Sequence, residues 1–526
     1  SFQIRMRLLL PFFLLLPFTS ALNILMYVNV VGKSHFQFAE KLLALMKENG
    51  HTVDVILAML DMRVELKGTY GTRKMAVVKW DSPWGKSSHL TDPFVEISEW
   101  KRLVFGLASD IFLDTADLLC DLVIDSPEVA DLLSSNKYDL ALINGYDYCP
   151  FGLVHKYKLS PVVSYVPTPV FATQNYYAGL PELPLYETLF DPSLDEGSSF
   201  GRRIIETLRT FKERAIHARK SDIITNKYRA RYGNAFPDVR EVIKNTSIDF
   251  SNSHPLLEQP RPISLRLRYI GGVGMPKPKA LDNDMNDLLN LSNKGTVLVS
   301  FGTQIAPEKI SEELRRTFVS TFKRFPEFTF LWKFDGKMAT NSSNIHNMAW
   351  LPQNDLLHDS RVVAFISHMG LNSFTETGFA GVPVVAIPFF ADQLHNARRA
   401  RDLGMGVIVP KSAITEESLS TALEKVLYDE RYRNRAKEIA SMIAANPDTP
   451  QRIFLEGIEF ASKFENLPSH YRLAGADYHH LVQVGWDVAA FLTLIVLFLA
   501  YVVTLLIVSI IRCLLGKVQL KYNKLE

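Results

Sequence analysis

Two stretches of this chain open in the same way, and together they limit what it can fold into. Asn23 to Val30, NILMYVNV, is a nearly unbroken apolar run that breaks into Val-Gly-Lys-Ser-His. Lys294 to Thr303, KGTVLVSFGT, is a second such run, ending in a glycine turn. An apolar run without polar alternation fits a strand covered on both faces, as strands of a parallel sheet are. After the first run Phe38, Leu42, Leu45 and Met46 recur at helical spacing, Gly50 stops the pattern, and TVDVIL reads as the next strand. Ser34 is placed to cap that helix, with Gln37 three residues on completing a capping box. Strand, helix and strand in that order require a parallel sheet with a right-handed crossover. YDLALIN (138–144) and LSPVVSYVP (159–167) extend the first sheet. In the second half ISEELRRTFVSTFKRF reads as a helix, and FTFLWKF, VVAFISH and VPVVAIPFF as strands. The join, HPLLEQPRPISLRLRYIGGVGMPKPKA, is rich in Pro and Gly and reads as a linker. The expectation is α/β, with two doubly wound domains at 22–262 and 263–440 and a helical return plus juxtamembrane segment at 441–487. Between Leu60 and Leu133 no period dominates. Trp80, Trp84, Phe94, Trp100, Phe105 and Phe112 there either shape a substrate pocket or pack helices on the sheet.

The two ends differ from the rest. Residues 1–21 combine Arg5 and Arg7, an apolar core and small residues at Thr19 and Ala21, the pattern of a secretory signal peptide. Val488 to Ile511 carries no charge and is long enough to cross a bilayer core of about 30 Å. The tail, 512–526, is rich in Lys and Arg, which places it in the cytosol and the bulk of the chain across the membrane, as a single-pass type I protein. The endoplasmic reticulum is the expected membrane, although Lys524 with Tyr522 only half resembles a dilysine signal. Asn245, Asn290 and Asn341 head glycosylation triplets compatible with that side. Cys513 abuts the span, either as an idle thiol or as an acylation site. With Cys120 and Cys149 it makes up the whole cysteine content, which is no disulfide scaffold and no zinc pattern. The net charge of +2 gives no electrostatic reason to expect a nucleic-acid partner.

Ligands of an open parallel sheet sit beyond the carboxyl ends of its strands. His368 ends VVAFIS, and Met369-Gly370-Leu371-Asn372-Ser373 then opens a helix whose N-terminal amides favour a phosphate. Glu376 follows about one turn in, Asp392 and Gln393 end the next strand, and Trp350 and Gln353 follow another. This set suits a sugar nucleotide. An indole face stacks a base, a Gln amide pairs with a uracil edge, and a carboxylate accepts from both ribose hydroxyls. His368 and the helix amides suit a diphosphate, and Asp392 and Gln393 suit sugar hydroxyls. Each of these residues alone more often has a structural role; the ordered set is what points to function.

The ordered segments WLPQ, SHMGLNSFTE and GVPVVAIPFFADQ resemble the donor-binding signature of the UDP-glycosyltransferases, in particular the animal membrane-bound UDP-glucuronosyltransferases. The resemblance runs over nearly the whole chain. It implies a GT-B fold of two facing Rossmann-like domains, no metal or other cofactor, and inversion at the anomeric carbon. Carried over by position, Trp350 and Gln353 bind uracil and Glu376 the ribose. Ser300, Gly302, Thr303, Ser367, His368, Gly370, Asn372 and Ser373 line the diphosphate, with Lys333 a further phosphate ligand, and Asp392 and Gln393 hold the sugar. Met369 departs from the Gly of most relatives and is expected to crowd the phosphate turn. Arg261 matches a position where some glucuronate-using relatives have Arg, as a ligand for the sugar carboxylate; a solvated linker charge is the competing reading.

Transfer to a neutral hydroxyl calls for a base. His35, after the first strand and in the first turn of a helix whose dipole disfavours imidazolium, matches the family's catalytic His. His51, at the far end of that helix, reads as structural. The family pairs its His with an Asp; aligned on Cys149 that position is Asn144, and Asp147, three residues on, is preferred as the carboxylate. The expected activity is transfer of a sugar, glucuronic acid first, from UDP-sugar to small lipophilic alcohols. UDP-glucose as donor, a non-catalytic UDP-sugar-binding subunit and a ceramide-directed transferase are the alternatives. Homo- and hetero-oligomers are both compatible with the sequence.

Overall fold

The computed structural model describes residues 21–60, 64–66, 68–80, 118–170, 177–180, 200–302, 310–336, 342–389 and 391–522. The signal-peptide region, Thr303, Asn341 and the aromatic residues Trp84, Phe94, Trp100, Phe105 and Phe112 lie outside that set. The first sheet holds seven parallel strands in the order β3-β2-β1-β4-β5-β6-β7. They are β1 (Asn23–Val30), β2 (Thr52–Met59), β3 (Met75–Lys79), β4 (Leu140–Asn144), β5 (Val162–Val166), β6 (Ile248–Ser251) and β7 (Leu267–Tyr269). The second holds six, ordered β10-β9-β8-β11-β12-β13: β8 (Thr296–Ser300), β9 (Thr329–Lys333), β10 (Ile345–Met348), β11 (Val362–Ser367), β12 (Val384–Ala386) and β13 (Gly406–Ile408). Both orders reverse direction beside their first strand, at β1/β4 and β8/β11, which opens a crevice at the carboxyl ends of those pairs.

The helices used below are α1 (Lys33–Glu48), α2 (Cys149–Lys156), α3 (Phe200–Tyr232), α4 (Glu312–Lys323), α5 (Gln353–Leu357), α6 (Leu371–Ala380), α7 (Gln393–Asp402), α8 (Pro450–Lys463) and α9 (Trp486–Tyr522). The apolar spacing read in α1 is its buried face: Phe38, Leu42 and Met46 lie in one core with Ile24, Met26 and Val28 of β1. The capping box expected at Ser34 does not form. The helix starts at Lys33, its N-cap is Gly32, and no side chain caps it. Phe318 and Phe322 of α4 pack on Trp332 of β9 in the second domain, at ring-centroid distances of 5.2 and 5.8 Å. Cys120 and Cys149 form a disulfide that ties the chain before β4 to the first turn of α2. The low cysteine count gave no sign of it.

The boundary drawn at 262/263 falls inside the first sheet, because β7 pairs with β6 through Asp249–Leu267, Phe250–Arg268 and Ser251–Tyr269. The chain also returns. α8 puts Phe454, Ile458 and Ala461 into the core of the first domain with Phe250 and Tyr165. Gly457 permits that approach, since a Cβ there would meet the Phe250 ring at 2.7 Å. After α8 the chain reaches α9, in which Trp486–Leu515 is long and apolar enough to cross a membrane and is not buried against protein.

Arg261 is not a solvated linker charge. Its guanidinium is buried, paired with Glu258 at 3.1 Å and donating to the Val170 carbonyl at 3.2 Å. Glu258 also accepts from Ser253 Oγ at 2.7 Å and the Gln259 amide at 2.9 Å, and lies 2.7 Å from His395 Nε2 of α7. Burial alone would raise the carboxyl pKa; His395, Arg261 and Ser253 outweigh it and hold Glu258 well below the usual carboxylate range. The pair therefore stabilises the fold above the ordinary carboxylate pKa and loses that contribution as pH falls. Because the node joins the linker to a helix of the second domain, Glu258→Gln leaves Arg261 charged and uncompensated. It should cost about 3 kcal/mol, read as a lower midpoint in thermal unfolding of the detergent-solubilised chain.

Candidate active site

β8 and β11 are neighbours, and Ser300 and Ser367, their last residues, are register partners. Each serine hydroxyl accepts a hydrogen bond from its own turn: Ser300 Oγ from the Gly302 amide at 3.4 Å, Ser367 Oγ from the Met369 amide at 3.1 Å. Two ordered turns therefore stand side by side on the rim. His368 lies between them. A Cβ on Gly302 or on Gly370 would come within 2.6 Å of His368 Nε2, and Gly302 has φ of +78°. Only glycines let the ring occupy that place. Burial lowers the His368 pKa to about 4, so it stands as a neutral donor. The next residue, Met369, has φ of +61°. Its side chain does not crowd the turn as expected; it is fully buried with Leu298, Phe365 and Phe374 in the core of the second domain.

α6 begins at Leu371 with Gly370 as N-cap and no side-chain cap, so its first amides face the rim. Asp392 reaches that end: its carboxylate bonds the Leu371 amide and accepts from Asn396 Nδ2 at 3.0 Å. Burial raises the Asp392 pKa despite these bonds. Gln393 Oε1 accepts from the Phe389 amide at 2.9 Å, which fixes the approach to α7. Asn372 is half-buried in the first turn of α6. One helical turn in, Ser373 and Glu376 both meet Gln353: its Nε2 donates to Ser373 Oγ at 3.1 Å and to Glu376 Oε2 at 2.5 Å. Burial raises the Glu376 pKa, opposed by the hydrogen bond from Gln353 and by the nearby Lys41, His358 and Lys333. Trp350 is 64% exposed, an unusual state for an indole, and Lys333 Nζ sits 4.7 Å from its ring centroid. Thr303 lies outside the described residues.

The first sheet faces this rim with the start of α1. His35 follows β1, partly exposed, with Nδ1 enclosed and without a hydrogen-bond partner. Burial lowers its pKa to about 4, which keeps the ring neutral. Its neighbour is Tyr146, with ring centroids 5.5 Å apart. Tyr146 is itself pushed up by burial, with the Asp392 carboxylate of the other domain adding to the shift against a hydrogen bond with Thr168. His35 and the Asp392 carboxylate thus both act on one tyrosine. Across from α6, Lys41 of α1 acts on Glu376, and Lys33, two residues before His35, acts on Lys333. Position in the helix gave no sign of either lysine. Tyr146 was legible in principle, since it lies two residues beyond β4 at the same strand ends that nominated the rest.

Neither candidate partner of His35 bonds it. Asp147 is buried, accepting from Tyr27 Oη at 2.9 Å, Asn29 Nδ2 at 3.3 Å and the Cys149 amide at 2.9 Å. Burial raises its pKa, with Lys220 opposing. Asn144 Oδ1 accepts from the Tyr146 amide at 3.0 Å, so it shapes the turn that carries Tyr146. His51 is structural: its Nδ1 accepts from the Leu22 amide at 3.2 Å. Among the described residues no group of three or more His, Cys, Asp or Glu is placed to hold a metal ion.

The two facing parallel sheets with a shared rim are the architecture of GT-B glycosyltransferases. Solved structures of that class align over most of the chain. They include the calicheamicin glycosyltransferase CalG4 (17% identity, 83% of this chain and 97% of that one, TM-score 0.56) and the glycosyltransferase VinC in complex with DTDP (17%, 84% and 100%, TM-score 0.56). The family model for UDP-glucoronosyl and UDP-glucosyl transferases matches residues 31–521, and the chain belongs to that family. Curated relatives include UDP-glucuronosyltransferase 3A1 of Bos taurus, 28% identical over 98% of both chains. A putative UDP-glucuronosyltransferase of Caenorhabditis elegans is 27% identical over 85% of this chain and 87% of its own. The 2-hydroxyacylsphingosine 1-beta-galactosyltransferase of Homo sapiens is 28% identical over 88% and 85%. The chain is a UDP-glycosyltransferase.

Two outcomes follow from the rim. Glu376→Ala should weaken UDP binding by about tenfold or more, the scale of one charge-assisted hydrogen bond of about 1.5–3 kcal/mol, in isothermal titration, with an unchanged circular-dichroism spectrum. His35, His254 and His368 all have pKa values lowered to about 4 by burial. The unfolded chain, with ordinary histidines near 6.5, binds more protons between those values, so stability must fall as pH drops through that window. Melting temperatures across pH 7 to 4 should decline, and a His368→Gln variant should decline less.

Proposed function

We propose that the chain catalyses inverting transfer of a hexose from a UDP-sugar to a hydroxyl of small lipophilic acceptors, with His35 as general base. The observation that carries the reading is the neutral His35 ring packed on Tyr146, the same tyrosine on which the Asp392 carboxylate of the second domain acts electrostatically. With Nδ1 enclosed, Nε2 is the nitrogen left to take the acceptor proton. The alcohol oxygen then attacks the anomeric carbon as the bond to the diphosphate breaks. Trp350, Gln353 and Glu376 hold the uridine; Ser300, Gly302, Ser367, His368, Gly370, Asn372, Ser373 and Lys333 hold the diphosphate; Asp392 and Gln393 hold the sugar. The charge of departing UDP falls on the α6 N-terminus and Lys333, so the proposed step needs no metal ion. Among the described residues nothing bonds His35 Nδ1, so orientation of the base comes from packing against Tyr146 rather than from a carboxylate.

Glucuronic acid is the donor proposed first, in line with relatives named as glucuronosyltransferases. The burial of Arg261 against Glu258 removes the cation assigned to its carboxylate and favours a second reading, a neutral hexose donor. The sphingosine galactosyltransferase relative bears that name, and it keeps a lipid acceptor in view. The chain is further proposed to be anchored by Trp486–Leu515, with its two domains in the lumen of the endoplasmic reticulum. The Cys120–Cys149 disulfide suits an oxidising compartment, and the Asn245 and Asn290 side chains are exposed, although Thr246 and Ser247 of the first triplet are buried.

Mass spectrometry of products from competing UDP-sugars with a pool of lipophilic alcohols tests the donor directly; no product from any donor would sink the catalytic reading. His35→Ala should lower kcat by about 10² to 10⁴, the scale of general-base catalysis, while the Kd for UDP stays within twofold. With the base neutral down to about pH 4, the acid limb of kcat/KM should lie well below the 6–7 of an ordinary histidine. Stopped initial rates, corrected for enzyme lost to unfolding, check this.

A further inference from the structure

α3 spans 33 residues, about 50 Å of helix at 1.5 Å per residue. From Ser221 onward it belongs to the first domain: Ser221, Ile224, Thr225 and Tyr228 are buried. Before Ser221 none of its described side chains is buried. Instead Phe200, Ile204, Leu208 and Phe211 are exposed, by 71, 45, 52 and 43%. At 100° per residue these four fall within about 80° of one another, a single stripe. Arg203 and Arg214 border it on one side, Lys212 and Arg219 on the other. The Arg203 guanidinium lies 5.8 Å from the Phe200 ring centroid and that of Arg214 6.0 Å from Phe211. A helix facing water on that side would be polar there. A stripe of Phe, Ile and Leu edged by long cationic side chains fits the boundary between headgroups and acyl chains, where the stems lie on the apolar part and the charges reach the phosphates.

The foot of this projecting half stands beside the segment leading to α9. Ser221 Oγ is 3.1 Å from Tyr177 Oη. Two residues on, Gly179 lies so close to Ala476 that a Cβ on it would come within 2.6 Å of the Ala476 Cβ. Gln483 Nε2 donates to the Gly475 and Tyr478 carbonyls at 2.7 and 3.1 Å, and α9 begins three residues later. Tyr478, Leu481, Val482 and Trp486 are exposed along that approach, including the aromatic types found at membrane interfaces. Over residues 200–214 five basic residues face two acidic ones, a balance that suits anionic lipid.

We propose that residues 200–215 of α3 lie in the interface of a lipid bilayer, apolar stripe inward, as a second attachment of the catalytic domains besides α9. That the attachment is a second one rests on the reading of α9 as a span; the interfacial seat of α3 stands on its own apolar stripe. The same helix supports the reaction side, because Lys220 Nζ donates to the Tyr146 carbonyl at 2.7 Å and Tyr146 packs on His35. An acceptor dissolved in the bilayer would thus meet the domain carrying the proposed base close to its membrane surface.

The test uses the full chain with Cys513→Ser, reconstituted in phosphatidylcholine–phosphatidylserine vesicles carrying spin-labelled lipid. A fluorophore is placed in turn at Leu208→Cys, Ile204→Cys, Glu213→Cys on the far side of α3, Leu497→Cys in α9, and Arg431→Cys as a water-exposed reference. Labels at 204 and 208 should be quenched by shallow spin labels at least about threefold more than those at 213 and 431, the periodicity of an interfacial helix. Quenching at 204 and 208 equal to that at 431, with 497 quenched by deep labels, would overturn the proposal and leave the span standing. Quenching at 204 and 208 without any at 497 would uphold the proposal and remove the span. No quenching at any of the three positions removes both.

Discussion

A parallel strand can be followed by another only if the chain crosses back over the sheet, and that single requirement places the chemistry of this molecule. Every turn after a strand falls on the same edge, so β8, β9, β11 and β12 deliver Ser300, Lys333, Ser367 with His368, and the approach to Asp392 to one rim. The first sheet does the same with His35 after β1 and Tyr146 after β4. The long return through α8 then locks the two halves, because its apolar face completes the core of the first domain rather than of the second it follows. Rim faces rim as a consequence of connectivity, before any individual polar contact is counted.

What that arrangement does to ionisation is as consequential as where it puts the groups. Burial lowers both rim histidines, His35 and His368, to about 4 and raises the carboxyls Asp392 and Glu376. Burial lowers Lys41 and Lys333 as well, so it biases all of these rim groups toward their neutral forms. A neutral imidazole with so low a pKa is always ready to accept a proton but holds it weakly. On the proposed reading of His35 as the base, a bound diphosphate would supply negative charge that favours imidazolium, and the donor substrate would strengthen that base as the ternary complex forms.

The sequence disclosed the parts of this scheme that depend on local pattern. Period and turn chemistry located β1, α1, β2, β8 and β11, and strand-end position nominated His35, His368, Glu376 and Asp392. It failed where the deciding contact is remote in the chain. β7 was read as linker because three residues pair only by courtesy of β6. Arg261 was assigned to a sugar carboxylate because nothing local betrays Glu258 and His395 closing around it. The departure at Met369 was read as crowding because a side chain replaces the Gly of relatives, whereas the surrounding Leu298, Phe365 and Phe374 take that side chain into the core. Asp147 is the same lesson at closer range: a carboxylate three residues from the expected position lies on the wrong side of its turn, bonded to Tyr27 and Asn29. The disulfide, too, joins residues that no spacing rule pairs.

Tyr146 gathers these threads, and it shows why the reaction side cannot be understood from His35 alone. Its amide is held by Asn144, its carbonyl by Lys220 of α3, its hydroxyl by Thr168, and its ring by His35. Lys220 carries that carbonyl at the point where α3 enters the first domain, and it sits over the Tyr148 ring at 4.8 Å, with Tyr148 in turn 2.7 Å from His217 of the same helix. Any displacement of α3 is therefore felt as a shift of Tyr146 against His35, at a position where the Asp392 carboxylate of the other domain already acts on it. A helix set on a membrane and a carboxylate set against a sugar would then share one side chain, which is a physical route by which bilayer attachment and catalytic geometry are coupled.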